Sequence, residues 1–408
     1  MSEPSIRPAL PDGGPDFDPL SAYFERHPYE ELKRMREQGR AWRHHGTLMP
    51  VVSFFHDADI RPMLLDWKTW SSQRSPEYNE KALGDAAILI GNDPPTHTHY
   101  RGIAAPLFMP GAMAPLMPMI EREVKATLDE CIGKDEINFV EDFAGTATVR
   151  VVCNIVGIPP KDRARMRAMT IDIARDDGRP VFWKSNHEEV IARVGRVMAE
   201  MTEYLDEHIE RVKRQPREDI LSKLTKMLDN PRHLVGMSIL ILAAGNETTT
   251  NLLAHGLQEL LRHPEQLALL RKHPELIDSA VEEMLRYRGT IRKQDRISMV
   301  DTEIDGVQIN KGDSIALWNA SASRDPSAID RPEEFDITRK PNRHLALGAG
   351  PHMCIGNALA RVEMRIAYRQ LLERTKHIEL TRGDDSYRSM GNGILEGAER
   401  LSVRLIPN

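Results

Sequence analysis

The run between Asn230 and His263 restricts the fold more than any other part of this sequence. Its first half, LVGMSILILAAG, is apolar on nearly every face of a helix. Asn230 is a good cap, Pro231 suits a first helical turn, and Pro264 stops the run. At 1.5 Å per residue such a helix is roughly 50 Å long, enough to cross a whole domain. A helix apolar all round belongs in the middle of a molecule. The expectation is a mainly α protein with a small β region, built round one long central helix.

The rest of the chain divides by periodicity. Pro28 to Gln38 reads as a helix, Ala41 to Phe55 as a strand pair and Asp57 to Leu65 as a helix. Ser71 to Pro95 is polar and reads as a long loop. Helical spacing then covers Pro106 to Gly133, Phe139 to Val156, Lys161 to Arg175 and Glu188 to Gln215. Arg296 to Trp318 reads as short strands turning at Asp305-Gly306 and Lys311-Gly312. Asn357 to Arg374 is a strong helix, and the tail from Lys376 reads as hairpins. No repeat or low-complexity linker interrupts the chain. The expectation is one interlocked domain over residues 1–408. Its β-rich parts lie at about 40–70, 296–320 and 376–408, and its helical parts at about 97–290 and 357–374.

Net charge is −6 with both signs mixed along the chain, so no basic stripe marks a nucleic-acid binder. No stretch reaches the roughly 20 apolar residues of a membrane span. The polar, proline-rich start has no secretion-signal pattern. A cytoplasmic protein is expected. The three cysteines, Cys131, Cys153 and Cys354, show no CxxC spacing, which argues against a disulfide framework and for a reducing setting. Cys131 and Cys153 lie in apolar helical stretches and read as buried thiols.

Cys354 is different. Gly348 and Gly350 precede it, Gly356 follows, and a helix begins just after. The glycines let backbone approach a flat partner, and the helix start favours a thiolate. A buried cysteine in a turn is the plain alternative. Zinc is disfavoured for want of nearby cysteine partners. The central helix carries a second oddity, Ala244-Gly245-Asn246-Glu247-Thr248-Thr249-Thr250. Glycine and consecutive threonines are weak helix formers, so an opening of the helix is expected there, or else a polar stripe facing solvent.

Gly348-Ala349-Gly350-Pro351-His352-Met353-Cys354-Ile355-Gly356 resembles the haem-binding loop of the cytochrome P450 superfamily, whose pattern is Phe-Gly-x-Gly-x-His/Arg-x-Cys-x-Gly. Leu347 stands where the family usually has Phe, which bears on the iron's redox potential. The resemblance implies haem b, with Cys354 as the axial ligand of its iron. The central-helix motif looks like the family's oxygen-activation signature. By that likeness Thr248 would hydrogen-bond at the oxygen site and Glu247 would relay protons. Glu283-Met284-Leu285-Arg286 is similar to the Glu-x-x-Arg core motif, implying a structural pair that holds the cysteine loop. Its usual third basic residue is replaced by Glu334, with Arg331 as the substitute. His97 and Arg101 in DPPTHTHYR, Arg296 and His352 match haem-propionate ligands. The likeness spans about Asp93 to Leu401.

The implied function is a monooxygenase using O2 and two electrons from a ferredoxin-type donor with its reductase. Its substrate would be a hydrophobic small molecule: terpenoid, steroid, fatty or aromatic. The donor would dock on a basic face of His352, Arg361 and Arg365. The pocket would be lined by Ser71 to Leu89, Thr170 to Asn186, Leu240 to Ala244, Gly289 to Gln294 and Met390 to Leu395. Arg292 and Lys293 are expected to face solvent, the alternative being a substrate carboxylate. Two rival functions are a peroxide-dependent peroxygenase or decarboxylase, and a non-enzymatic haem-thiolate sensor.

Overall fold

The computed structural model describes residues 17–19, 21–44, 47, 50–73, 87–175, 187–389 and 395–408. The central helix runs Pro231–Arg262, 32 residues. The Asn230 side chain accepts the Arg232 N–H at 2.9 Å, as a cap should. Helices Gly145–Val156, Arg163–Arg175, His187–Arg214, Ile277–Tyr287 and Asn357–Arg374 pack round it. This is the placement that a helix apolar on all faces requires. Helices Pro28–Gln38, Asp57–Leu65 and Asn357–Arg374 have the bounds their periodicity predicts.

Two expected helices differ. Pro106 to Gly133 is broken into 3-10 turns at Ala105–Phe108 and Ala114–Leu116, a short helix Pro110–Met113, and a longer one, Met117–Cys131. Pro106, Pro110 and Pro115 each lack the N–H that a continuous helix needs. Phe139 to Val156 opens with a wider, π-type turn over Phe139–Ala144 before Gly145–Val156 continues as α. Of the loop expected from Ser71 to Pro95, 74–86 lie outside the described residues, and Ala87–Ile90 is a helical turn.

The strands are β1 (Ala41–Arg43), β2 (Val51–Phe54), β3 (Trp70–Ser71), β4 (Ile137–Asn138), β5 (Gln294–Ser298), β6 (Thr302–Ile304), β7 (Val307–Ile309), β8 (Ser314–Leu317), β9 (Thr375–Leu380), β10 (Tyr387–Ser389) and β11 (Ala398–Pro407). One sheet has the order β1-β2-β8-β5-β3. It joins two of the expected β regions, with β2 and β8 parallel and their other neighbours antiparallel. The third region pairs β9 and β10 with β11, and takes in β4 from the helical part. That two-residue strand is too short to leave a period in the sequence. Asp305 (φ 55°) and Gly306 (φ 77°) turn β6 into β7, as a left-handed hairpin turn demands. Among the described residues no single helix is long and apolar enough to cross a membrane.

Cys131 and Cys153 are buried, and burial pushes their pKa up to about 11 and about 12, so both are inert thiols. His255, on the central helix, is wholly buried. Burial first, then the Arg288 charge, pushes its pKa down from 6.5 to about 3, against the pull of Glu396. The folded pKa lies below the unfolded one. Between these values the unfolded chain binds a proton that the folded chain refuses, so stability is lost as pH falls through that window. His255→Gln should flatten the acid limb of the apoprotein's denaturation midpoint between pH 6.5 and 3. An unchanged slope would assign acid sensitivity to other groups.

Candidate active site

The Cys354 N–H donates to the Leu347 carbonyl at 2.8 Å, closing the loop ahead of helix Asn357–Arg374. Within it Gly348 and Gly350 take φ +70° and +68°. A Cβ on Gly348 would lie 2.9 Å from the Gln294 amide, and one on Gly350 would strike the Leu64 carbonyl. Glycine is required at both positions for conformation and for space. The Gly356 N–H donates to the Cys354 sulfur, but burial prevails and raises the thiol pKa, against the Gly356 bond and the Arg101 and Arg361 charges. Burial therefore opposes the thiolate that the helix start favours. A coordinated metal ion tips the balance, because it deprotonates a thiol outright. Among the described residues no group of three or more His, Cys, Asp or Glu is placed to hold a metal ion. An iron at Cys354 must bring its other donors with it, as a porphyrin does.

Four candidate groups, two arginines and two histidines, converge beside this loop. Arg101 Nη2 donates to the Met353 carbonyl at 2.6 Å. The His97 and His352 rings lie with centroids 4.1 Å apart. Arg296, on β5, is buried, and its charge acts on His352. Burial, then the His352 and Arg101 charges, pushes the His97 pKa down to about 4, so its ring is neutral near pH 7. His97 Nδ1 and His352 Nε2 are buried without a hydrogen-bond partner among the described residues. The nearest carboxylate to His352, Asp93, is 3.8 Å away, beyond hydrogen-bond reach. Asp93 itself is engaged by the Ser71 hydroxyl and by the Ser72 N–H at 3.0 Å. Two orphaned imidazole nitrogens beside two arginines fit the carboxylate edge of a haem.

The central helix carries an open patch. Ala244 is exposed in mid-helix, and Leu240, Ile241 and Thr248 are half-buried, whereas Leu242, Asn246, Glu247, Thr249 and Thr250 are buried. The Thr290 hydroxyl donates to the Thr248 carbonyl at 3.1 Å, and a Cβ on neighbouring Gly289 would meet Ala346 of the cysteine loop at 2.9 Å. The 289–294 segment thus touches both the central helix and the cysteine loop. The expected opening of the helix is not there, and neither is a solvent-facing stripe. The helix is continuous through this stretch, and the Thr248 and Thr250 hydroxyls bond back to the Ala244 and Asn246 carbonyls one turn earlier. Of the expected pocket wall, 74–86, 176–186 and 390–394 lie outside the described residues.

Glu283 and Arg286 form a fully buried pair, Arg286 Nη2 to Glu283 Oε1 2.7 Å and Nε to Oε2 2.8 Å. The third cation is Arg339, with Nε 3.2 Å from Glu283 Oε2, and not the expected Arg331. Arg331 is exposed and binds Glu334 instead. Its place in the sequence, before Phe335-Asp336, was misleading, since the chain turns and delivers the cation that follows that pair. Arg286 and Arg339 also bind the Ser323, Pro332 and Glu334 carbonyls, and Asn342 donates to Glu283 at 2.9 Å. This knot fixes the segment that leads into the cysteine loop.

Arg292 and Lys293 do not face solvent. Each is about 2% exposed, Arg292 lying 3.1 Å from Glu396 and Lys293 2.5 Å from Asp295. Glu396 also binds Arg288 and accepts the Tyr29 hydroxyl at 2.8 Å. The proposed basic docking face is largely self-neutralised: Arg361 bonds Glu282 at 2.9 Å and Arg365 bonds Asp278 at 2.8 Å. Sequence reasoning missed Arg339, Glu396 and Asn246. Their partners are remote in sequence or, for Asn246, on neighbouring helices.

Residues 268–403 match the family model described as Cytochrome P450. The biotin biosynthesis cytochrome P450 of Bacillus subtilis is 34% identical, over 78% of this chain and 80% of its own. The cytochrome P450 monooxygenase PikC of Streptomyces venezuelae is 33% identical, over 95% of this chain and 94% of its own. Among solved structures, CYP109E1 from Bacillus megaterium in complex with testosterone superposes with a TM-score of 0.86 at 29% identity, covering 94% of this chain and 99% of that one.

Proposed function

Since the chain belongs to the cytochrome P450 family, an enzyme family of monooxygenases, we propose that it holds haem b through Cys354 and hydroxylates a hydrophobic small molecule. Electrons come singly from a separate ferredoxin-type donor and its reductase. The observation that carries this reading is the open, apolar-edged patch on the central helix, bordered by the same 289–294 segment that contacts the cysteine loop. When bound, the haem supplies the one-electron chemistry that activates O2 and inserts one oxygen atom into a C–H bond.

The remaining roles fall to the chain's own groups. Cys354 gives the thiolate, and the Gly356 N–H moderates its charge. Arg101, Arg296, His97 and His352 hold the carboxylate edge of the cofactor. Leu240, Ile241 and Ala244 give the proposed substrate recess an apolar wall that favours a terpenoid, steroid, fatty or aromatic substrate and keeps water out. The steroid in the CYP109E1 complex supports that class. The Thr248 hydroxyl, on the open face, donates a hydrogen bond into the recess when it leaves the Ala244 carbonyl. Glu247, one residue away and buried, carries the proton that replenishes it. All three cysteines are free, in keeping with a cytoplasmic setting.

The test is a substrate screen by spin shift of the ferric holoprotein, followed by turnover of each hit. Product that needs O2 and the ferredoxin system supports the reading. Product that needs only peroxide would replace it with the peroxygenase. Thr248→Val and Glu247→Gln should each lower product formed per electron pair by about 10²-fold while leaving the spin-shift titration unchanged. Equal coupling in wild type and both variants would remove these residues from the chemistry.

A further inference from the structure

Each helical residue turns about 100° from the last, so the three threonines of the central helix point three ways. Thr248 lies on the open face. Asn246 and Thr250, one turn apart, share the opposite face and are buried at 0% and 1% exposure. Helix Gly145–Val156 crosses there, and Val152 lies 3.2 Å from where a Cβ of Gly245 would be. Glycine there lets the two helices pack closely. It brings Thr148, one turn before Val152, to 2.7 Å from the Thr250 hydroxyl and 2.9 Å from Asn246 Oδ1. From the other side, helix Arg163–Arg175 presents Thr170, whose Oγ1 accepts from Asn246 Nδ2 at 2.7 Å and donates to the Arg167 carbonyl at 3.0 Å.

These bonds orient the Asn246 amide. Its oxygen accepts a hydrogen bond from the Thr148 hydroxyl, and one of its two N–H groups donates to Thr170. The second N–H reaches Glu247 Oε1 at 3.3 Å. A flipped amide would set its oxygen against Glu247 Oε1, where the carboxylate needs a donor. Neighbouring helical residues do not face each other, and Glu247 leaves the helix about 100° from both Asn246 and Thr248. A carboxylate within reach of the Asn246 amide has turned to that side and away from Thr248.

We propose that Asn246, oriented by Thr148 and Thr170, is a positioning residue that holds the Glu247 carboxylate on its own side of the central helix and so sets its access to Thr248. The proposal rests on the reading of Glu247 as the proton source. It also ties two packing helices to the chemistry, since a shift of either one reorients the amide.

Asn246→Leu removes the amide at similar volume, and Thr170→Val removes only the acceptor that orients it. The Glu247 carboxylate stretch can be identified by infrared difference against Glu247→Gln in the holoprotein. Both variants should shift that band, lower product per electron pair by about tenfold and change its solvent isotope effect, with the substrate spin-shift titration unmoved. In a Glu247→Gln background neither should have further effect on coupling. A band unmoved in both variants overturns the proposal, and so does an equal loss of coupling in the Glu247→Gln background. If Glu247→Gln itself leaves coupling intact, the proton-source reading falls, while the infrared band still decides whether Asn246 positions the carboxylate.

Discussion

Cys354→Ala should abolish the strongly red-shifted Soret band of the dithionite-reduced, carbon monoxide-bound protein and, with it, all monooxygenase turnover. The wild type should show that band, because thiolate ligation donates electron density to the iron. The loss should be complete, since Cys131 and Cys153 are buried thiols with raised pKa and cannot substitute. The variant should still fold. The loop is held by backbone: Cys354 N–H to the Leu347 carbonyl, and Asn357 to the Cys354 carbonyl. Neither of these bonds involves the sulfur, and the variant loses only the Gly356 N–H contact to it. A Soret band at the histidine-haem position in wild type, or an unchanged band in the variant, would take the iron away from Cys354.

Glu283→Ala should cost about 3–5 kcal/mol of folding stability, because it leaves buried arginine charge uncompensated. Arg286 has no exposed side-chain surface, Arg339 is 7% exposed, and both point at the Glu283 carboxylate. The Asp336 N–H and the Asn342 amide lose their acceptor as well. Arg339→Ala should cost less, about 1.5–3 kcal/mol, because the two-bonded Glu283–Arg286 pair survives. Arg331→Ala should change little, since its partners are solvent-exposed acids. Urea denaturation of the apoproteins measures all three. The order Glu283, then Arg339, then Arg331 is the expected result. A larger cost at Arg331 than at Arg339 would restore the assignment that the sequence suggested.

Charge pairing also changes how the docking surface should be tested. Reversing Arg361 or Arg365 breaks its bond to Glu282 or Asp278 as well as altering any partner contact. Reduction kinetics of such a variant must therefore be read beside those of the matching Glu282 or Asp278 variant. The Glu396 cluster carries a similar lesson. Arg288 and Arg292 from one segment and Tyr29 from near the chain start reach one buried carboxylate, and the Glu396 N–H donates to the Thr290 carbonyl at 2.7 Å. The 290–292 segment is thereby clamped to the tail of the chain.

The sequence by itself determined what local spacing can encode. The central helix is written in its unbroken apolar run with Asn230 and Pro264 as its bounds. The cysteine loop is written in glycines set two residues apart ahead of a helix, and Glu283 and Arg286 in a single turn. Breaks in the helices after Pro106 were also legible, had the prolines been weighed against the apolar period. What only the tertiary structure decided are pairings across long separations. Arg339 rather than Arg331 completes the Glu283 knot, Glu396 buries Arg288 and Arg292, and Glu282 and Asp278 neutralise Arg361 and Arg365. The partners of the Asn246 amide were likewise decided by packing, which brings Thr148 and Thr170 to it from other helices. The physical reason is the same in each case. A period in the sequence tells which side chains share a face of one element, but the partner of a buried charge or amide is whichever group packing brings within about 3 Å.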